Sequence, residues 1–346
     1  MELTTVWFIL IAVLWIGYFV LEGFDFGVGM LLPVVGRTEA ERRAIITTLG
    51  PVWDGNEVWV LVAGGATFAA FPEWYATLFS GFYLPLFLIL VALILRGVAF
   101  EYRSKRGDAS WRARWDAAIV FGSFVPALLW GVAFGNIVRG VPMAEINGNI
   151  EYTGGFFNLL NPFALLGGLT FLAVFATHGA IFLSLKTHGS IRDSAHQVGM
   201  RTGMVATVLA VLYLIWAQLA YSDKAWTWVP VLLAAVCWLV AMAMHRTRSE
   251  GWAFVFSATT IGLAVIALFG MLFPNVMPNI DPAGPSLTTT NASSTDYTLT
   301  IMTWVAVVFT PIVLGYQAWT YWVFRKRISA DDIVDPHAGS LDEVHA

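Results

Sequence analysis

The sequence is poor in charge. Only 12% of its 346 residues are Asp, Glu, Lys or Arg, about half the share of ~25% in an ordinary soluble domain. Hydrophobic residues make up 58% of the chain, and the mean hydropathy is +0.70. This balance excludes a soluble globular domain and a disordered chain. The net charge of −4 also provides no basic surface for nucleic acid.

Cysteine and histidine, which often hold metals and redox centres, are scarce as well. The single cysteine, Cys237, excludes a disulfide framework and a cysteine-based zinc or iron–sulfur site. His178 is the candidate intramembrane histidine, and a lone histidine is more often a satisfied polar residue than a haem ligand. We therefore expect no metal site on this chain and any redox centre on another subunit. The sequence also lacks a phosphate-binding glycine loop ending in Lys-Ser or Lys-Thr, which argues against an ATP-driven machine.

Long apolar runs dominate the chain instead. A membrane-spanning helix needs about 20 mostly apolar residues, and we predict an all-α polytopic membrane protein with about nine such helices. Residues 1–328 are predicted to form a single transmembrane domain with an external loop over 274–297, followed by a short acidic cytoplasmic tail over 329–346. The predicted spans are 5–32, 46–70, 77–100, 115–138, 160–185, 199–219, 226–244, 252–273 and 299–324.

The basic residues predict the orientation of these helices. If the N-terminus is outside, all but three of the 19 Lys and Arg residues fall in segments on the cytoplasmic side. The three exceptions are Arg96, Arg139 and Lys224. Cytoplasmic loops carry an excess of positive charge, so we predict that the N-terminus is outside and the C-terminus cytoplasmic.

Five ionisable residues lie inside the first three predicted spans. Glu22 and Asp25 share a face of the first helix, and Asp54 and Glu57 share a face of the second, because each pair is three residues apart. Arg96 lies in the third helix. A charged side chain at membrane depth costs several kcal/mol, so it indicates a functional site by default.

The predicted orientation brings these residues to the same depth, in the cytoplasmic half of the membrane. We therefore predict a proton path through Asp54 first, then Asp25, with Glu57 as a further candidate. Gly23 and Gly27 form a small-residue face that would let the helices pack closely around this cluster.

The other polar residues keep two interpretations each. Arg96 either joins the cluster or extends to the interface beside Glu101. Glu22 is equally a functional residue or a structural one that faces an internal water or a partner subunit. His178 is a candidate partner of the cluster or a satisfied polar residue.

Several motifs, spread in order from the first helix to the last, resemble subunit II of the cytochrome bd-type quinol oxidases. Together they are highly specific, although each alone is weak. The motifs are Gly23-Phe-Asp-Phe-Gly-Val-Gly29, Trp53-Asp-Gly-Asn-Glu-Val-Trp59, Phe82-Tyr-Leu-Pro85, Arg96-Gly-Val-Ala-Phe-Glu-Tyr-Arg103, Gly131-Val-Ala-Phe-Gly-Asn136, Asn161-Pro-Phe-Ala-Leu165, Phe273-Pro-Asn-Val-Met-Pro278 and Met302-Thr-Trp-Val-Ala-Val-Val308.

The resemblance implies a fold of two four-helix bundles plus one peripheral helix, paired pseudosymmetrically with a subunit I of similar fold. In such an enzyme of the bacterial plasma membrane, subunit I carries haem b and haem d and oxidises quinol. Subunit II supports assembly and supplies part of the cytoplasmic proton path, where the family's aspartate matches Asp54. The resemblance also implies an oxygen route near Trp59, a quinone or lipid bound in this subunit, and small accessory transmembrane subunits.

Two alternative functions remain open. A purely structural subunit that shields the haems of its partner would also retain buried charges for packing specificity. A secondary transporter would need interrupted helices at corresponding positions of two halves, whereas the one clear interruption is at Gly50-Pro51 to Gly55.

Overall fold

A computed structural model describes residues 2–333, so the predicted acidic tail lies outside the described residues from position 334 onward. Within 2–333 the chain is almost entirely helical, with two small hairpins of paired strands, β1–β2 and β3–β4. The helices are α1 Leu3–Val35, α2 Glu39–Leu49, α3 Trp53–Ala70, α4 Pro72–Gly81, α5 Tyr83–Tyr102, α6 Ala109–Arg139, α7 Gly155–Asn158, α8 Pro162–Lys186, α9 Gly189–Tyr221, α10 Trp228–Arg246, α11 Glu250–Leu272 and α12 Asp296–Val323. The strands are β1 Met143–Ile146, β2 Asn149–Tyr152, β3 Asn275–Met277 and β4 Leu287–Thr288.

Within residues 2–333, eight helices are long and apolar enough to cross a membrane: α1, α5, α6, α8, α9, α10, α11 and α12. An all-α polytopic membrane protein is thus confirmed. The predicted second span, 46–70, is divided between α2 and α3, and the 18-residue α3 is not among the eight. Pro51 separates the two helices because it has no backbone N–H to continue the hydrogen-bond ladder.

The connections group at two ends of the helices. One end, which we call the arginine end, contains segments 36–52, 103–108, 187–188, 247–249 and 324–333. The opposite end, which we call the hairpin end, contains both hairpins. There Val141 pairs with Asn279, and the Asn279 side chain donates to the Met143 carbonyl at 2.7 Å, so the two hairpins are joined.

Helix α1 lies at the centre and packs against α3, α6, α8 and α11. Its approach to α8 is close because glycines meet: a Cβ atom at Gly27 would lie 2.8 Å from the Gly179 Cα atom. A Cβ at Gly23 would meet the Phe175 ring, also on α8. The small-residue face of α1 therefore packs on α8 and not on the helices of the predicted cluster, α3 and α5. Helix α12 is peripheral, with Leu299 the one buried residue within Asp296–Val323.

The amphipathic helix α2 is held at the arginine end by ion pairs. The buried Arg103 guanidinium contacts Asp116 of α6 and donates to both oxygens of Glu39 at 2.8 and 2.9 Å. Arg42 also donates to Asp116, at 3.0 Å. The chain just before the cluster helix α3 is thus fixed to α5 and α6.

Glu41 caps α2 and connects it to α9. Its carboxylate accepts backbone N–H groups of Arg37 and Thr38 at 2.8 and 3.0 Å and the Ser190 hydroxyl at 2.5 Å. Burial by itself raises the pKa of Glu41, but these hydrogen bonds outweigh it and hold the pKa below the usual value. The folded protein therefore stabilises the ionised carboxylate.

We expect Glu41→Gln to destabilise the solubilised protein at pH 7 by about 1 kcal/mol, the usual contribution of a helix cap. Because the folded pKa is lowered, the wild-type advantage is present above the unfolded pKa of about 4.3 and is lost as pH falls through the folded value. Heat-unfolding midpoints of both proteins at a series of pH values from 7 down to about 2, below the unfolded pKa, measure this. An equal difference at every pH would contradict the ionic origin of the effect.

Candidate functional site

A cluster of polar side chains lies between α1, α3 and α5, within the apolar layer. Glu22, Asp25, Asn56 and Arg96 are each fully buried. Asp25 lies ten residues before the end of α1, which is about 15 Å at 1.5 Å per residue. The cluster therefore lies nearer the arginine end than the hairpin end.

Arg96 is the cation at the centre of this cluster. Its Nη2 atom donates to Oε1 of Glu22 and to Oε2 of Glu57, the latter at 3.2 Å. The guanidinium also lies over the Phe26 ring, 4.7 Å from its centroid. Arg96 is fully buried and does not extend to the interface. Helix α6 can approach it because Gly122, where a Cβ atom would lie 2.5 Å from the Arg96 Cβ, has no side chain.

The charges of the cluster do not balance if every group is ionised. Three carboxyl groups, those of Glu22, Asp25 and Glu57, face one guanidinium. An unpaired charge is costly in an apolar layer, so the cluster favours the binding of protons. Among residues 2–333, Glu22 Oε2 and Asp25 Oδ1 have no hydrogen-bond partner, which leaves one open oxygen on each carboxyl group.

A second row of hydrogen bonds connects Asp25 to the peripheral helix α12. Asn56 Nδ2 donates to Asp25 Oδ2 at 2.7 Å. The Asn56 oxygen accepts from the Tyr321 hydroxyl at 2.7 Å and from Gln317 Nε2 at 3.1 Å. Trp59 donates its indole N–H to the Gln317 oxygen at 2.8 Å. These contacts give α12 a direct polar connection to the cluster.

Sequence reasoning missed Asn56, Gln317 and Tyr321 as members of the site. Asn56 is uncharged, and its neighbours Asp54 and Glu57 carry the stronger sequence signal of a functional site. Gln317 and Tyr321 are four residues apart and so share one face of the last span. A polar amide in an otherwise apolar helix was the available signal.

The two carboxylates of α3 differ in environment. Asp54 is exposed in the first turn of the helix. The Glu57 side chain is 22% exposed and also contacts Arg96. The two carboxylates interact electrostatically. The structure thus brings Glu57 into the cluster, whereas Asp54 lies at its exposed edge.

His178 is buried apart from the cluster. Its Nδ1 atom lies 2.8 Å from the Ser257 hydroxyl and its Nε2 atom 3.1 Å from the Val20 carbonyl. The ring stacks on Phe254 with centroids 4.7 Å apart. Because the carbonyl can only accept, Nε2 carries a proton. Nδ1 faces the Ser257 hydroxyl, whose single proton is shared between Nδ1 and the Phe254 carbonyl, 3.0 Å from the hydroxyl oxygen. Both ring nitrogens are therefore occupied.

An apolar cavity of about 230 Å³ lies among α8, α9, α10 and α11. Aromatic and aliphatic side chains form most of its wall, and three threonines, Thr170, Thr207 and Thr260, also line it. Such a cavity suits an apolar ligand better than a charged one.

Comparison with known proteins gives matches along nearly the whole chain. Residues 3–324 match the family model described as cytochrome bd terminal oxidase subunit II. The chain is 40% identical over 335 residues to cytochrome bd ubiquinol oxidase subunit 2 of Bacillus subtilis strain 168, covering 95% of this chain and 97% of that protein. It is also 40% identical over 362 residues to cytochrome bd-I ubiquinol oxidase subunit 2 of Escherichia coli strain K12, covering 95% and 96% of the two chains.

The fold also matches a solved structure. A chain in the structure of bd oxidase from Geobacillus thermodenitrificans superposes with a TM-score of 0.76, covering 94% of this chain and 99% of that chain. The two sequences are 15% identical, so this likeness shows the fold alone.

Proposed function

The chain belongs to the cytochrome bd terminal oxidase subunit II family, and on this ground we propose that it is the haem-free subunit II of an enzyme that oxidises quinol and reduces oxygen to water. Because the chain belongs to this family and contains several long apolar helices, it is a multi-pass protein of the bacterial plasma membrane. Subunit I is the partner that would hold haem b, haem d and the quinol. Small accessory transmembrane subunits are further candidate partners.

His178, the histidine buried beside α1, does not fit a haem. A haem ligand needs a free ring nitrogen aimed at iron, and both ring nitrogens of His178 are in hydrogen bonds. His245, the other buried histidine within residues 2–333, has its Nε2 atom 3.2 Å from the His196 carbonyl, and its Nδ1 atom has no hydrogen-bond partner there. Its ring packs against the ring of His196, with centroids 4.6 Å apart. The proposed division of labour, with all haems on subunit I, agrees with the geometry of His178.

The proposed topology has nine spans, in which α3 joins the eight apolar helices. Helices α1, α3, α5 and α6 form one bundle of four, helices α8 to α11 form the other, and α12 is the peripheral helix. The arginine end faces the cytoplasm, since it contains nearly all basic residues. The hairpin end and the N-terminus face outside.

The observation that carries the proposed role is the series of carboxyl groups from surface to cluster. Asp54 is exposed near the arginine end, Glu57 is partly exposed and bonded to Arg96, and Glu22 and Asp25 are buried. We infer that protons enter at Asp54 and pass by Glu57 to the buried pair, and from there to subunit I. Oxygen reduction consumes protons, and taking them from the cytoplasm conserves energy as a membrane potential.

Two further roles are proposed. The apolar cavity among α8 to α11 would hold the hydrocarbon chain of a bound quinone or a lipid by contacts with its aromatic wall. Trp59, beside the cluster on α3, would lie near the route by which oxygen enters from the lipid. Neither role supplies a chemical step on this chain.

The experiment that tests the proton path replaces Asp25 and Asp54 separately by Asn in the assembled oxidase. Asn keeps the shape of the side chain but carries no transferable proton, so we expect oxygen reduction and the membrane potential to fall at least about tenfold. Asp223→Asn is the matched control, because its side chain is 89% exposed at the hairpin end. It is expected to behave as wild type.

Haem spectra of each variant establish that the complex has assembled before rates are compared. If both Asn variants assemble, turn over and build the potential as wild type does, the proton role is rejected. The competing assignment, a purely structural subunit that shields the haems of its partner, would then be supported. That assignment is favoured by the buried Arg96–Glu22 pair, which could serve packing specificity alone.

A further inference from the structure

We propose that Trp59, Gln317 and Asn56 form a hydrogen-bond chain with a fixed direction, which positions Asp25 so that it takes up a proton at Oδ1 and not at Oδ2. This inference deepens the proposed proton path and rests on it. The three residues are positioning residues, because they act through Asp25 and do not carry the proton themselves.

The direction of this hydrogen-bond chain is set at its first member, the indole of Trp59. An indole N–H can only donate, so the Gln317 atom 2.8 Å from it must be the carbonyl oxygen. The amide of Gln317 then has its N–H groups on the other side, and it donates to Asn56 Oδ1 at 3.1 Å. If the Gln317 amide were flipped, its N–H group would face the indole N–H of Trp59, and neither group could accept a hydrogen bond.

The same donor–acceptor argument fixes the orientation of the Asn56 amide. Since its Oδ1 accepts from Gln317, its Nδ2 must face Asp25, where it donates to Oδ2 at 2.7 Å. Tyr321 also donates to Asn56 Oδ1, at 2.7 Å, but a phenol hydroxyl can donate or accept. Tyr321 would therefore tolerate a flipped Asn56, and the direction depends on Trp59 and Gln317.

The consequence for Asp25 is that its two oxygens are not equivalent. Oδ2 faces an N–H donor, so a proton there would oppose the hydrogen of Asn56. Oδ1 has no partner among residues 2–333 and is the atom that can accept a proton. The charged groups that act on Asp25 are Glu22, Glu57 and Arg96.

Glu22 has the same asymmetry. Its Oε1 atom is held by Arg96, and its Oε2 atom is open among residues 2–333. A proton that leaves Oδ1 of Asp25 for Oε2 of Glu22 leaves Asp25 as the carboxylate and makes Glu22 neutral, so the total charge of the cluster is unchanged. Both held oxygens keep their hydrogen bonds throughout the transfer.

If the hydrogen-bond chain from Trp59 to Asn56 loses its fixed direction, we expect the proton to leave Asp25 more slowly. Without the Trp59 N–H or the Gln317 amide, Asn56 is free to flip and to offer its oxygen to Asp25. A protonated Asp25 would then donate from Oδ2 to that oxygen. A proton held in this hydrogen bond leaves more slowly, by about fivefold for a bond of ordinary strength.

The test uses the assembled oxidase with three variants: Trp59→Phe, Gln317→Met and Tyr321→Phe. Infrared difference spectroscopy follows the carbonyl stretch of protonated Asp25, which Asp25→Asn identifies by removing it. In the wild type this carbonyl is Oδ2 and accepts from Asn56, which lowers its frequency. We expect Trp59→Phe and Gln317→Met to shift the band to higher frequency and to slow turnover about fivefold.

Tyr321→Phe is the matched control on the same amide oxygen, since it removes a shorter hydrogen bond without affecting the direction. We expect it to leave the band in place. Trp252→Phe, at an indole that is 61% exposed, controls for loss of an N–H elsewhere. A merely structural role predicts the opposite order, with Tyr321→Phe at least as harmful as Gln317→Met.

The outcomes separate the two proposals. An unshifted band in both Trp59→Phe and Gln317→Met, with turnover abolished in Asp25→Asn, overturns the fixed direction and leaves the proton path standing. Wild-type turnover in Asp25→Asn overturns the role of Asp25 and this inference with it, and wild-type turnover in Asp54→Asn as well rejects the proton path itself. A band shift in Tyr321→Phe equal to that in Gln317→Met would also contradict the role of Trp59 as the anchor.

Discussion

Replacing Arg96 with methionine is expected to destabilise the assembled oxidase by about 3–5 kcal/mol, as the loss of one partner from a buried ion pair does. Methionine keeps much of the length and apolar surface of arginine, so the change isolates the charge. It leaves Glu22, which is fully buried, without a counter-charge. The loss of Arg96 costs less free energy at Glu57, because the Glu57 side chain is 22% exposed. The midpoint of heat unfolding of the solubilised complex measures the effect.

A double variant distinguishes charge from packing at this position. Arg96→Met combined with Glu22→Gln removes both members of the pair, and neutral replacements of a buried pair cost far less than breaking it. We therefore expect the double variant to regain most of the lost stability. Arg201→Met, at an exposed arginine of α9, should melt as wild type does. A double variant no more stable than Arg96→Met would show that packing, and not charge, fixes Arg96.

The sequence was sufficient to predict the eight long apolar helices found within residues 2–333, although the predicted second span, 46–70, is divided between α2 and α3. Long apolar runs are visible without tertiary information, and the excess of basic residues at alternate connections predicts how the helices alternate. Arg96 was a candidate because a charge inside an apolar run is costly wherever its helix packs. Glu22, Asp25 and Arg96, on α1 and α5, are fully buried in the cluster.

The direction in which each helix face points could not be predicted. Residues three apart on a helix differ by about 60° in direction, since one turn holds 3.6 residues. That angle is enough to leave Asp54 exposed while Glu57 bonds to Arg96. Gly23 and Gly27 show the same limitation, because their face packs on α8 and the cluster lies elsewhere on α1.

The hydrogen-bond chain from Trp59 through Gln317 to Asn56 could not be predicted either, for a different reason. Trp59 and Gln317 are 258 positions apart in sequence, and nothing local in either helix indicates the other. Contacts of this kind depend on how α12 packs against α3, which the hydropathy of α12 does not specify. A single neutral amide in a span is a weak signal until its partner is known.

Replacing Gly27 with valine is expected to prevent α1 from packing on α8 and to cost more than about 4 kcal/mol, a loss confined to a few mechanisms such as severe overpacking. The first added atom, Cβ, would lie 2.0 Å from the Phe175 carbonyl oxygen and 2.8 Å from the Gly179 Cα atom. Both are backbone atoms and cannot rotate away, so the helices must separate. In lipid, close van der Waals contact drives helix association, and separation removes it.

This substitution should also damage the cluster, because Asp25 lies two residues from Gly27 on the helix that would move. We expect little assembled complex in the membrane, measured as haem absorbance that elutes with both subunits after solubilisation. Gly251→Val is the matched control, since a Cβ atom there has nothing within 4 Å, and it should lie within about 0.5 kcal/mol of wild type. A Gly27→Val complex that assembles and melts like the control would mean that α1 and α8 do not approach this closely, and the burial of Asp25 would then need another cause.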